Sequence, residues 1–291
     1  MKRGFALLML LMILLAPFLP GQAEAEPQVQ RRMLVGEVYS PLTEDKGEWA
    51  SSAPEVAEVS EKGLVTALTP GEALITQTVK NKPILRASLL VVENAQTPEQ
   101  ITRAIDIALG EWEGLLGKSL TRNNKYTKWY CGRPCEFGWC GGFVSFVLDE
   151  AGLPMDYWRE SELQLHGDPH AVREADVLKL LRGYTNMDRI SNIPRPGYLV
   201  IYGRRGGYKT IHVGMVVRAE HQGEGVYLIE TVEGNVSKRI KRYSYLYDSR
   251  AQNPERNMKA LPESEWTDRD TFQYQLITQD WHVNVFAQTW Y

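Results

Sequence analysis

At "ENAQTPEQ", residues 93–100, the hydrophobic period of the chain changes from two to 3.6, so one kind of layer cannot serve both sides of it. Before the change, "SAPEVAEVSEKGLVTALTPGEALITQTV" sets Val56, Val59, Leu64, Val65, Leu68, Leu74 and Ile75 among polar residues, with turns at "EKG" and "TPGE". "ILRASLLVVE" adds a further strand, and the close turn spacing predicts a small β-sandwich. After the change, Thr97 is expected to cap a helix, with Pro98 at its first position and Gln100 at its third. Ile101, Ala104, Ile105, Ala108, Leu109, Trp112, Leu115 and Leu116 then recur at helical spacing.

The chain's start bears on compartment. Lys2 and Arg3 precede an apolar run from Phe5 to Leu19 and a small-x-small site at Ala23–Ala25, the pattern of a signal peptide over 1–25. The run is shorter than the ~20 apolar residues that a spanning helix needs. No later segment is apolar enough to cross a membrane, so a secreted or wall-associated chain with no stable membrane span is expected. A net charge of −3 lacks the basic excess of a nucleic-acid binder, so none is expected as a partner. Three cysteines are too few for a disulfide scaffold.

Beyond the first helix the sequence predicts a helix through Phe143–Leu148 ending at Gly152, another near Ala175–Leu181, and strands at 198–202, 211–217 and 225–232. Helices first and an antiparallel sheet later is an α+β pattern. The aromatic, partly alternating tail reads as edge strands or a packing extension.

All three cysteines lie in "YCGRPCEFGWCGGFVSFVLDEAG". Cys140 stands where a glycine-containing loop meets an apolar helix, and N–H groups at a helix start favour a thiolate there. A small buried hydrophobe is the commoner fate of a lone cysteine. "IHVGMVV" places His212 on an apolar strand with Gly214 on the same face, and "LIETVEGNV" ends in Glu233 and Asn235, which face the same way if the strand continues. A thiolate needs a base, and that base needs an acceptor to orient its second ring nitrogen. Cys140, His212 and Glu233 or Asn235 supply these roles in order.

Two resemblances follow from these residues. "EWASSAPEVAEVSEKGLVTALTPGEALIT" resembles the bacterial immunoglobulin-like domain of group 2 over about residues 33–93, at Trp49, Ser51, Ser52, Val56, Ala57, Val59, Gly63–Ala67 and Gly71. It implies a spacer or surface-binding module. "YTKWYCGRPCEFGWCGGFVSFVLDEAG", "RPGYLVIY", "IHVGMVV" and "VEGN" resemble the CHAP family, the cysteine- and histidine-dependent amidohydrolases and peptidases of the papain-like superfamily, over about residues 120–240. That resemblance implies Cys140 as nucleophile, His212 as base, Glu233 as its orienter and Asn235 as a supporting polar group. The Cys140 backbone N–H and Tyr126 are candidates for the oxyanion or cleft position. Tyr198 departs from the family, where many relatives carry Asp, and the segment 156–193 is longer than a minimal domain of this kind.

The expected organisation is therefore multidomain. A signal peptide (1–25) precedes an immunoglobulin-like all-β sandwich (26–93), then an α+β papain-like domain of helices packed on an antiparallel sheet with a C-terminal extension (94–291). Cys131 and Cys135 are close enough in sequence for a loop disulfide that leaves Cys140 free, with three reduced thiols as the alternative. A zinc site on the three cysteines fits the usual ligand spacing poorly. His166, Asp168 and His170 in "HGDPH" read as a solvated loop, and Lys238, Arg239, Lys241 and Arg242 as a solvated strand edge. The expected function is an exported peptidoglycan hydrolase needing no cofactor, either an N-acetylmuramoyl-L-alanine amidase or a peptide endopeptidase. The alternatives are a secreted papain-like protease acting on protein and a non-catalytic surface adhesin.

Overall fold

The computed structural model describes residues 29–39, 47–93, 97–156, 171–187, 189–206, 210–261 and 280–290. The expected signal peptide (1–25) and "HGDPH" lie outside them.

The first unit is built of strands β1 (Val29–Leu34), β2 (Val38–Tyr39), β3 (Glu48–Ser51), β4 (Ala57–Val59), β5 (Val65–Ala67), β6 (Gly71–Val79) and β7 (Lys82–Val92). They form two sheets, ordered β1-β7-β6-β3 and β2-β5-β4. β1 runs parallel to β7, and the other pairings are antiparallel. Met33, Val65, Ala67, Ile75, Leu89 and Val91 are among the residues buried in its core. Leu64 and Leu68, counted above in the apolar alternation, are exposed, because β5 turns Val65 and Ala67 inward and a period of two turns their neighbours out.

The second unit carries helices α1 (Glu99–Gly114), α2 (Lys125–Cys131) and α3 (Cys140–Glu150), a short parallel pair β8 (Met155–Asp156) and β9 (Ala171–Val172), and helix α4 (Val177–Asn186). Strands β10 (Ile190–Ser191), β11 (Leu199–Arg204), β12 (His212–Gly223), β13 (Val226–Val236), β14 (Arg239–Asp248), β15 (Met258–Lys259) and β16 (Trp281–Ala287) complete it. The last seven make one antiparallel sheet in the order β10-β16-β11-β12-β13-β14-β15. α1 and α3 lie against this sheet and each other.

Three expectations change. Thr97 does not cap α1: Pro98 holds the N-cap position and no side chain bonds the first turn. The cysteine loop contains a helix, α2, because Asn124 accepts from the Tyr126 and Thr127 N–H groups while the Thr127 hydroxyl accepts from the Asn124 N–H. The tail is not an edge: β16 runs between β10 and β11, with Val283 and Phe286 buried. Its partners are roughly eighty to a hundred residues away, as in Leu199 opposite Ala287 and Ile190 opposite the same residue, so local pattern could not reveal it. The basic stretch of β14 does pair on one side only, with β13, since β15 joins at Leu246 and Tyr247; within it Arg242 joins Glu230 in an ion pair while its guanidinium lies 5.3 Å from the Trp112 ring centre.

The two units meet through a buried carboxylate. Glu37, wholly buried on the turn between β1 and β2, accepts from the Leu34 N–H (2.9 Å), the Ser191 hydroxyl and the Gln288 amide (3.3 Å). Alongside it the Val38 N–H donates to Asn192 Oδ1 (3.0 Å), and Arg31 donates to the Ile190 carbonyl. Burial pushes the Glu37 carboxyl pKa up, against the pull of Ser191, the Leu34 N–H, Arg31 and Arg195. Tyr198, the departure noted above, is also buried here, and its hydroxyl lies 3.4 Å from the Gln288 amide. Removing this carboxylate strands buried donors, each costing about 1–3 kcal/mol. With more than one donor stranded and about 2–4 °C per kcal/mol for a unit of this size, Glu37→Ala is expected to lower Tm by at least about 4 °C, and Glu37→Gln, which keeps one acceptor, by less. Scanning calorimetry of the full chain checks this, and an unchanged Tm in both variants contradicts it.

Candidate active site

Cys140 is the first residue of α3, the apolar helix laid on β12 and β13. No side chain caps the helix, so the positive end of its dipole is directed at the residues that begin it. A close approach keeps the entry tight: a Cβ on Gly141 would sit 2.4 Å from the Ala175 carbonyl oxygen. Cys140 is 8% exposed and opens on a cleft of about 550 Å³. Cys131 and Cys135 are joined in a disulfide and Cys140 is the free thiol. The pairing removes two of the three sulfurs that the zinc alternative required.

His212 begins β12 opposite Tyr202 of β11, and Glu233 lies near the end of β13. The Cys140 thiol lies beside the His212 ring, and each is the strongest favourable influence on the other's charge. His212 Nε2 lies 3.0 Å from Glu233 Oε2, although the ring N–H points off the line between them. Nδ1 is therefore the nitrogen left to the thiol. Both groups are nearly inaccessible, at 6% and 2% exposed. Gly214 makes this reach sterically available, since a Cβ there would stand 2.6 Å from Glu233 Cγ.

Glu233 is itself held by donors. Its Oε1 accepts from the Tyr202 hydroxyl (2.6 Å) and the Thr231 hydroxyl (2.8 Å). The Tyr202 and Tyr245 hydroxyls are 3.0 Å apart. Tyr202 has one proton and donates it to Glu233, so Tyr245 is the donor in that pair. Burial first, and then the charge of Glu233, raise both phenol pKa values far above the ordinary range, which keeps them as donors. The result is a buried chain, Tyr245 to Tyr202 to Glu233 to His212 to Cys140. The rings of Tyr202 and Trp281 flank the imidazole at 6.0 and 5.4 Å between centres.

Electrostatics follow from this packing. For Cys140, burial alone would raise the thiol pKa, but the hydrogen bond and charge of His212, then the Gly141 and Val213 N–H groups, bring it below its usual value. For His212, burial alone would lower the pKa, but the adjoining Cys140 and Glu233 and their negative charges raise it. The two shifts describe one thiolate–imidazolium pair. Such a pair can bring a sulfur nucleophile to an electrophile in the cleft and hold a proton ready for a leaving group.

Two candidate residues stand elsewhere. Asn235 does not continue the strand: β13 bulges between Glu233 and Val236, Asn235 has φ +65°, and its amide lies 3.6 Å from where a Cβ on Gly138 would be. It faces the cysteine loop and makes no hydrogen bond to His212. Tyr126 is buried in the core, stacked on Trp139 at 5.2 Å, and its hydroxyl donates to Glu111 Oε2 at 2.7 Å. The bond to Glu111 of α1 commits that hydroxyl, so Tyr126 is not an oxyanion donor. The Cys140 N–H remains in the uncapped first turn of α3. Tyr202, Thr231, Tyr245 and Trp281 were not singled out from sequence. Only Thr231 left a local signal, two residues before Glu233 on the same strand face. Among the described residues no cluster of His, Cys, Asp and Glu could hold a metal ion.

Residues 20–85 match the family model of the bacterial Ig-like domain (group 2), so the first unit is a domain of that kind. No curated protein matches the chain. A solved structure of a bacterial Ig-like domain-containing GH10 xylanase from termite gut aligns at 23% identity with a TM-score of 0.21, too low to inform the fold. The alignment covers 28% of this chain and 23% of that one.

Alkylation of Cys140 reads the ion pair directly. Its rate against pH, followed by mass spectrometry of the folded protein, should have a midpoint below the ~8.5 of a free thiol. Glu233→Gln weakens the imidazolium and should move that midpoint up by about one pH unit. Gly214→Ala, which displaces Glu233, should act in the same direction. A wild-type midpoint at or above that of a free thiol contradicts the pairing.

Proposed function

We propose that the chain is an exported bacterial cell-wall hydrolase of the CHAP type, with a papain-like catalytic unit behind its Ig-like domain. One observation supports this most: a buried array ending in Cys140, with His212 between it and Glu233, opens on a cleft. The spacing of "GWCGGFV", "IHVGMVV" and "VEGN" supports the family, and the basic–apolar leader with Ala23–Ala25 supports export. No helix among the described residues is long and apolar enough to cross a membrane. The Ig-like domain suits retention at a bacterial surface.

In this reading the Cys140 thiolate attacks the carbonyl carbon of an amide in the wall peptide. The carbon–sulfur bond forms as the carbonyl π pair moves to oxygen, where the Cys140 N–H can donate. The tetrahedral species collapses, the carbon–nitrogen bond breaks, and His212 gives its proton to the leaving amine. Neutral His212 then takes a proton from water as that water attacks the thioester. The acid product leaves, and thiolate and imidazolium are restored. Glu233 keeps the imidazole oriented through both halves.

Purified peptidoglycan provides the test. The full chain should lower its turbidity and release fragments whose masses identify either the amide next to muramic acid or one within the peptide. Cys140→Ala and His212→Ala should each lose at least about a thousandfold in rate. Clearing by Cys140→Ala at the wild-type rate, or cleavage of denatured proteins with no action on walls, contradicts the proposal.

A further inference from the structure

The cleft beside Cys140 carries information about what enters it. Tyr130, Phe137 and Leu178 supply apolar walls, and its charged lining groups among the described residues are two carboxylates, Glu174 and Asp176. Glu174 is more than nine-tenths buried, at 8% exposed. Its Oε1 accepts from the Ala175 N–H (2.7 Å), the Asp176 N–H (2.9 Å) and the Tyr130 hydroxyl (3.1 Å). Three donors on one oxygen hold the group in a fixed orientation. Its Oε2 accepts no hydrogen bond among the described residues.

Glu174 is also fixed from behind. Its N–H donates to the Ser145 hydroxyl (3.2 Å), which donates in turn to its carbonyl (3.1 Å), tying the segment to α3. The same segment passes within contact of Gly141, next to the thiol. Asp176 caps α4 by accepting from the Lys179 N–H through Oδ1 (3.0 Å), which leaves its second oxygen on the exposed side. With Oε1 taken by three donors, Oε2 is the oxygen left to meet a cation that enters the cleft. The nearest cationic neighbour in sequence, Arg173, is turned away, with its guanidinium 4.0 Å from the Trp129 ring centre and donating to the Trp129 carbonyl.

We infer that Glu174 is a specificity residue, and that the cleft takes an amide whose flanking residue carries a primary ammonium on an aliphatic stem. The stem lies along Phe137 and Leu178, and the ammonium is received by Glu174 Oε2 with Asp176 at the rim. This inference rests on the proposal that substrate meets Cys140 in this cleft.

Binding separates it from the question of hydrolysis. The full chain with Cys140→Ala is titrated calorimetrically, at low ionic strength, with acetyl-Ala-Lys-Ala-amide and with the same peptide acetylated on the lysine amine. The free amine should bind at least about tenfold more tightly. Adding Glu174→Gln, which keeps an acceptor for the Ala175, Asp176 and Tyr130 donors, should abolish the difference. Equal affinities, tighter binding of the acetylated peptide, no measurable binding of either, or a preference that survives Glu174→Gln overturns the inference. The comparison of the two peptides on the Cys140→Ala protein is decisive even if Glu174→Gln does not fold. Because turnover is absent, a failed wall assay leaves this result intact, and the reverse also holds.

Discussion

The contact between His212 and its two partners sets the terms for the rest of the second unit. An imidazolium is expensive to bury, and so is each anion beside it, unless the charges touch and the remaining lone pairs find donors. The protein meets much of this requirement, with His212 Nε2 3.0 Å from Glu233 Oε2 and donors around both anions. The Gly141 and Val213 N–H groups favour the Cys140 thiolate, and Glu233 receives the Tyr202 and Thr231 hydroxyls. Tyr245 completes the line by donating to Tyr202. Deleting any member leaves a neighbour buried and unpaired, so the array behaves as one unit and not as separable bonds.

The sheet exists in the form that places these groups. β11, β12 and β13 are consecutive and antiparallel, so Tyr202, His212 and Glu233 come to one face within side-chain reach. α3 brings Cys140 down onto that face. The absence of a side chain at Gly214 lets Glu233 cross between strands. β16 adds Trp281 beside the imidazole from the far end of the chain. The Ig-like domain joins the same sheet at its other margin, where Glu37 meets Ser191 of β10 and Gln288 just beyond β16. It is docked against the second unit, with the buried acid Glu37 shared between them.

Much of this was legible in the sequence because the signals were local. The change of period at residues 93–100 separated the units, and the strands around His212 and Glu233 read correctly from alternation and apolar runs. Cys140 was conspicuous because a glycine pair and an apolar helix follow it. What escaped depended on pairing at a distance. Tyr202 and Tyr245 join the array through strand register, and β16 enters the sheet beside residues far earlier in the chain. Asn235 was placed by assuming a continuous strand, and one bulge with a left-handed residue redirected it. Tyr126 was a candidate named with the family resemblance, whereas its hydroxyl is held by Glu111 on another helix.

The charge state of His212 is the most direct measure of the account. Nitrogen NMR of the His212 ring, followed from pH 4 to pH 9 in the folded full chain, distinguishes the doubly protonated ring from its neutral tautomers. A thiolate–imidazolium pair predicts that His212 stays doubly protonated at pH 8, and that replacing Cys140 by alanine brings its titration down. A wild-type ring that becomes neutral near the ordinary ~6.5 or below would contradict the pair and the nucleophile built on it.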